Sequence, residues 1–126
     1  MINILRSLTL GLLGIAFIAV GVRHFTGPDF FVAIVPPYLP APLALVYISG
    51  FFEILGGAGL LIPPLRRIAG WGLIALMIAV YPANIHMAMN PDQFPDLPPT
   101  ALYVRLPIQF VMIAIVWWAA IKRPKE

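Results

Sequence analysis

LALVYISGFFEILGGAGLLI, residues 43–62, decides the fold. A helix rises about 1.5 Å per residue, so a stretch of this length covers about 30 Å, the thickness of a bilayer's hydrocarbon core. Within it Glu53 is the only charged side chain. Working outward, three more stretches have the same character: 4–22 before it, and 68–89 and 101–121 after it. The chain is 61% hydrophobic and 10% charged over 126 residues, which no soluble domain of this size tolerates. Lipid forces each span to satisfy its backbone polar groups internally. Four spans with short connections therefore predict an all-α membrane protein, a single domain over 1–126 folded as an antiparallel four-transmembrane-helix bundle.

Charge sets the expected orientation. Arg6, Arg66, Arg67, Lys122, Arg123 and Lys125 fall on one side, against Arg23 and Arg105 beside Asp29, Asp92 and Asp96 on the other. That bias predicts a multi-pass protein of the cytoplasmic (inner) membrane with both termini cytoplasmic. The net charge of +3 resides at span ends and forms no basic face with interleaved aromatics, so nucleic acid is not an expected partner. Cysteine is absent, which excludes disulfides, thiolate catalysis and Cys-ligated metals. The triplet Ala19-Val20-Gly21 also fits a signal-peptide cleavage site. The span is long for such a segment, and Gly11, Gly14 and Gly21 on one helix face suit packing instead; the first span is expected to be retained.

The connections differ in kind. In the first, Gly27-Pro28 starts a short helix and Pro36-Pro37 ends it. Phe30, Phe31, Ile34 and Val35 give that helix an apolar side, suited either to lying in the membrane interface or to folding over the bundle as a lid. The following PPYLPAP is expected to be extended. PPLRR predicts a tight hairpin between the second and third spans. NPDQFPDLPPT, polar and rich in proline, predicts a solvated loop. The run Gly56-Gly57-Ala58-Gly59 permits close approach of a neighbouring helix, although a strict GxxxG is missing.

Polar residues gather in the outer half of the spans. Glu53 lies about 15 Å deep, where a charge costs about 3 kcal/mol on insertion scales. Ser49, Gly50 and Gly57 share its face, which turns it into the bundle. Arg105 and Gln109, one turn apart on the fourth span, are its expected partners, with Arg105 reaching inward to the carboxylate. Asn84, Tyr81 and His86 come from the third span, and Arg23 and His24 close the first. Pro82 and Pro107 interrupt helices at similar depth, tolerated where backbone lines a cavity or is buried in protein. Two readings stay open: a buried polar set that fixes helix register, or a pocket for a small amphipathic molecule such as a quinone or lipid headgroup. Haem ligation by His24 and His86, and metal binding by His86, Asp92 and Asp96, are poorer fits to ordinary interfacial histidines and a proline-rich loop. No catalytic residue and no metal site is expected.

The runs GVRHFTGPDFFVAIVPPYLP, LVYISGFFEILGGAGLLIP, RRIAGWGLIALMIAVYPANIHMAM and VRLPIQFVMIAIVWW resemble the DoxX-like membrane proteins over essentially the whole chain. The most specific parts are Glu53-x-x-Gly-Gly, Pro82-Ala83-Asn84 and Arg105-Leu106-Pro107-x-Gln109. The resemblance implies a four-helix bundle in a bacterial cytoplasmic membrane, with Glu53, Asn84, Arg105 and Gln109 at the family's polar positions. It also implies a link to thiosulfate:quinone oxidoreduction, redox stress or assembly of other membrane proteins.

The expected role is a non-catalytic accessory or assembly subunit of a membrane complex, since the loops are small and no nucleophile–base pair or cofactor motif is present. Its expected partners are membrane lipid and a membrane or redox protein, and a homo-oligomer is compatible with the sequence. The alternative is a quinone- or lipid-binding component of a membrane oxidoreductase, with quinone as its cofactor. Transport is disfavoured, because four short spans carry no inverted repeat.

Overall fold

In a computed structural model, described for residues 4–95 and 97–122, the chain forms five α-helices: α1 (Ile4–Thr26), α2 (Asp29–Ile34), α3 (Pro42–Leu61), α4 (Arg66–Met89) and α5 (Pro99–Val116). Asp96, Arg123 and Lys125, which entered the charge count, lie outside the described residues. Four segments are long and apolar enough to cross a membrane: Ile4–Thr26, Pro42–Leu61, Pro63–Met89 and Pro99–Ile121. The last continues α5 through a wide π turn, Trp117–Ile121, closed by Lys122 N–H on the Trp117 carbonyl at 2.8 Å. The expected four-helix bundle is the observed one.

The tightest contact joins α1 to α3. Gly14 and Gly21, a heptad apart on α1, meet Gly57 and Gly50 on the antiparallel α3. A Cβ at Gly57 would stand 2.7 Å from the Gly14 carbonyl oxygen, and one at Gly21 would stand 2.7 Å from the Gly50 carbonyl oxygen. Only helices without side chains at these four points approach so closely. Gly11, expected on the same face, meets nothing within 4 Å and takes no part. On its other side α3 packs against α4, with Gly56 over Leu73 and Gly59 over Ala69. The four-residue small run therefore serves two neighbours. A 3-10 turn, Pro63–Leu65, makes the hairpin, and Arg66 Nε donates to the Leu60 carbonyl at 2.8 Å, satisfying the end of α3.

α5 packs along α4, and its π turn also reaches α1, closing the bundle at the end that carries both termini. There an apolar core forms from Leu10, Leu13, Leu60, Leu73, Ile74, Met77, Val116, Ala119 and Ile121. Arg6 is buried beside it. Its Nε donates to the Ala119 carbonyl at 3.2 Å, its Nη2 donates to the Lys122 carbonyl, and its guanidinium lies over the Trp118 ring. A cation at a helix C-terminus is favoured by the helix dipole as well as by these bonds.

The opposite end is closed by α2. Phe31 stacks on His24 of α1, and Ile34 packs with Met87, Phe94 and Leu102. The short helix is folded over this end of the bundle, with Phe30 left exposed. Two connections differ from expectation. PPYLPAP is not extended: Leu39 N–H bonds the Pro36 carbonyl at 3.0 Å, Pro36 is fully buried, and Ala41 is left-handed at φ 49°. The chain leaves α2 across the bundle end and must turn sharply to start α3 against α1. NPDQFPDLPPT is not simply solvated, because Phe94 is buried between Met87 and Leu102 and anchors the loop.

The glycine seam makes distinct predictions. Gly57→Ala and Gly50→Ala should each lower stability in detergent by about 1–3 kcal/mol through overpacking. Gly11→Ala should be neutral or stabilising by up to about 1 kcal/mol, through helix propensity alone. Equal losses at all three positions, measured by thermal unfolding, would exclude the seam as the contact that sets the fold.

Candidate functional site: two polar contacts in the half of the bundle away from the termini

Cα–Cβ bonds tilt toward a helix's own N-terminus. α1 and α3 are antiparallel, so side chains on one lean toward the bundle end from which the other's lean away. His24 lies one turn beyond Gly21, over Gly50, and leans toward the bundle end that carries the termini; Glu53 lies one turn past Gly50 and leans away from that end. They meet with Nε2 and Oε2 3.1 Å apart. The other imidazole nitrogen, Nδ1, lies 2.8 Å from the Val20 carbonyl. A carbonyl only accepts, so Nδ1 carries a hydrogen. A hydrogen bond between Nε2 and Oε2 then requires one further proton, drawn either as imidazolium and carboxylate or as imidazole and carboxylic acid. Both side chains are largely removed from solvent. Phe31 covers the imidazole, its ring near-parallel to that of His24 with centroids 3.9 Å apart and planes 17° apart.

The second contact joins α4 and α5. Arg105 Nε donates to Oδ1 of the buried Asn84 at 3.3 Å. Near the interruption at Pro82 the Met77 carbonyl accepts from the Gln109 amide. Tyr81 donates a long bond, 3.4 Å, to the Leu106 carbonyl beside Pro107, and its ring tilts against Phe110. Both bonds run from a side chain of one helix to a backbone carbonyl of the facing one.

The expected partnership of Glu53 with Arg105 and Gln109 is not what forms. α3 and α5 run in the same direction, so both side chains lean toward the same end of the bundle. Arg105, already nearer that end, leans away from Glu53 rather than down to it. His24, leaning the opposite way on the helix that touches α3 most closely, takes the carboxylate. The nine residues singled out from the sequence therefore divide. His24 and Glu53 form one contact, and Tyr81, Asn84, Arg105 and Gln109 form a seam between α4 and α5. His86 stands apart at the end of α4, with Asn90 Nδ2 3.2 Å from its Nδ1 and Phe94 edge-on. Among the described residues, the side chains of Arg23 and Ser49 form no hydrogen bond or ion pair; Arg23 is exposed and Ser49 half-buried. No three His, Asp or Glu side chains gather as a metal site among the described residues.

A cavity of about 480 Å³ lies elsewhere, between α3 and α4, and neither Glu53, Asn84 nor Gln109 lines it. Several participants escaped the sequence reading, the Met77 and Leu106 carbonyls among them. Phe31 was visible as part of an apolar side but not as the ring over His24. The Val20 carbonyl carries no sequence signal at all. Arg6 counted only as an orienting charge, although its place inside the stretch 4–22 was a sign of burial.

A family model described as a domain of unknown function (DUF8561) matches residues 13–120, from the middle of α1 through most of the π turn. No curated protein and no solved structure matches the chain.

The pairing is open to a double-mutant cycle. His24→Gln and Glu53→Gln should each destabilise the protein by roughly 3 kcal/mol, because the remaining partner is left unpaired away from water. The double variant should lose less than the sum, with a coupling of about 1 kcal/mol or more. Glu53→Gln and Arg105→Met should be additive within about 0.5 kcal/mol, since they act on separate contacts. Coupling of Glu53 to Arg105 instead of His24 in thermal unfolding would reverse the assignment.

Proposed function

We propose that this chain, which belongs to the DUF8561 family, is a non-catalytic accessory or assembly subunit of a bacterial cytoplasmic-membrane complex. In this reading it is DoxX-like, with both termini cytoplasmic. The observation that carries the reading is how the polar side chains of the spans are engaged. Glu53 is held by His24, Arg105 by Asn84, and Gln109 by the Met77 carbonyl. Each contact joins two helices of the same chain. Such groups fix register and orientation; a turnover site instead presents its polar groups to a substrate. The four spans expose broad apolar faces, including Ile48, Phe51, Ile78, Ile108 and Phe110, as surfaces that meet lipid or another membrane protein do.

The alternative, a quinone-binding component of a membrane oxidoreductase, has one observation in its favour. The His24–Glu53 pair shares a proton beneath a stacked ring. A planar headgroup in the place of Phe31 would stack on the imidazole face beside that pair.

Two measurements test these readings. The chain has no cysteine, so single cysteines report topology cleanly. Asp92→Cys should react with an impermeant thiol reagent in intact cells and Arg67→Cys only after lysis; the opposite pattern would invert the orientation. For the role itself, photo-crosslinkers at Ile78 and Phe110 in native membranes should join the chain to one defined membrane protein. The abundance of that protein should fall when this chain is deleted and recover on re-expression. A stoichiometric quinone in the purified protein, lost with His24→Phe, would replace the accessory reading with the alternative.

A further inference from the structure

The cavity between α3 and α4 is a groove with a defined shape and mouth. Its floor is made of small residues, Gly56 and Gly59 on α3 with Ala69, Gly72 and Ala75 on α4, and its walls include Phe52 and Leu55. Along α4 its lining runs from Leu65 to Ala79, about 21 Å by helix rise. That exceeds the roughly 15 Å depth of one leaflet's hydrocarbon. Every lining side chain is apolar, so the groove offers nothing to a polar molecule. A volume of about 480 Å³ over that length leaves a cross-section of about 23 Å². An extended hydrocarbon chain, with carbon contacts of about 3.5–4.0 Å, fits such a section. A transmembrane helix does not: at about 10 Å diameter it occupies about 1,600 Å³ over the same length.

One end of the groove is marked by charge. Leu65 and Ile68 line it there, and Arg66 and Arg67 lie between them in the chain. Arg66 is held in place by its Nε bond to the Leu60 carbonyl. Arg67 is exposed, and among the described residues its side chain has no ion-pair or hydrogen-bond partner. The half-exposed Trp71 follows one turn later on α4, the kind of side chain that marks the level of headgroups. A long apolar slot beginning beside two arginines at the membrane boundary matches an acyl chain joined to an anionic headgroup.

We propose that this groove binds one anionic phospholipid, its acyl chain in the slot between α3 and α4 and its phosphate-bearing headgroup at Arg66 and Arg67. The site is separate from the His24–Glu53 and Asn84–Arg105 contacts and does not depend on whether the protein is an accessory subunit. Gly72 supplies the selective test. It lines the groove, yet a Cβ built there meets nothing within 4 Å, so a larger side chain fills the slot without disturbing helix packing.

The experiment is native mass spectrometry of the purified protein in mild detergent, titrated with phosphatidylglycerol or phosphatidylcholine of identical acyl chains. Thermal stability is followed in parallel. The wild type should retain a single phosphatidylglycerol with a raised melting temperature. Gly72→Leu should abolish that retention while keeping the lipid-free melting temperature. Arg67→Gln should weaken phosphatidylglycerol about fivefold and leave phosphatidylcholine unchanged, the factor expected for one basic residue at an anionic surface. Equal retention of the two lipids means annular lipid only and overturns the proposal. Retention unaffected by Gly72→Leu overturns it as well. So does a crosslinker at Gly72 that captures a protein helix or a second copy of the chain in place of lipid.

Discussion

The backbone contact between α1 and α3 governs the rest of the structure. Gly14 and Gly21 face Gly57 and Gly50 so closely that even a methyl group would collide with a carbonyl. Between helices in lipid no hydrophobic force drives association, and close packing must supply it. Once two points a heptad apart are matched, neither helix can slide or rotate. His24 is then fixed above Gly50, and the opposite lean of side chains on antiparallel helices brings it to Glu53. The proton-sharing pair is a consequence of the glycines. Phe31 then covers an object already in place, and α2 can fold over the bundle end.

This order explains what could be read from the sequence and what could not. The four spans, the tight hairpin at PPLRR and the short helix after Gly27-Pro28 were legible, because length, hydropathy and proline act locally. The apolar side of α2 was legible too, but whether it met lipid or protein depended on His24 being beneath it. The identity of Glu53's partner was not legible from depth alone. Arg105 and Gln109 share a face and lie at suitable depth, yet α5 runs in the same direction as α3 and packs on α4. Lean direction and neighbour choice decide the pairing, and both follow from the glycine match. The turn in PPYLPAP and the burial of Phe94 were hidden for a related reason. Each answers to the surface left at the bundle end once α2 is in place.

The two ends of the bundle solve the same physical problem differently. Every helix end leaves carbonyls or N–H groups without intrahelical partners. At the end carrying the termini, long basic side chains reach over these carbonyls: Arg66 to Leu60, and Arg6 to Ala119 and Lys122. The basic residues counted as topology signals in the sequence also close helices here, a role the count alone did not reveal. At the other end few side chains cap the helices. Aromatic stacking and the buried Phe94, Met87 and Leu102 hold the short elements down.

Glu53 shows why a costly group can persist in such a bundle. A lone carboxylate at this depth would cost about 3 kcal/mol on insertion scales. The cost is offset only if its partner is itself satisfied, and the Val20 carbonyl does that by holding the second imidazole nitrogen. The chain carbonyl–imidazole–carboxyl then needs just one shared proton between Nε2 and Oε2, and either placement leaves the unit neutral overall. A neutral, ring-covered pair can be kept in the hydrocarbon, where an unpaired carboxylate or imidazolium cannot. Arg105 has no such arrangement. It retains a formal charge with an amide for a neighbour, which suits a long side chain that can lean toward the membrane surface. The two contacts lie in the same half of the bundle, but only the one made by His24 and Glu53 is self-neutralising, and only that one needs a lid.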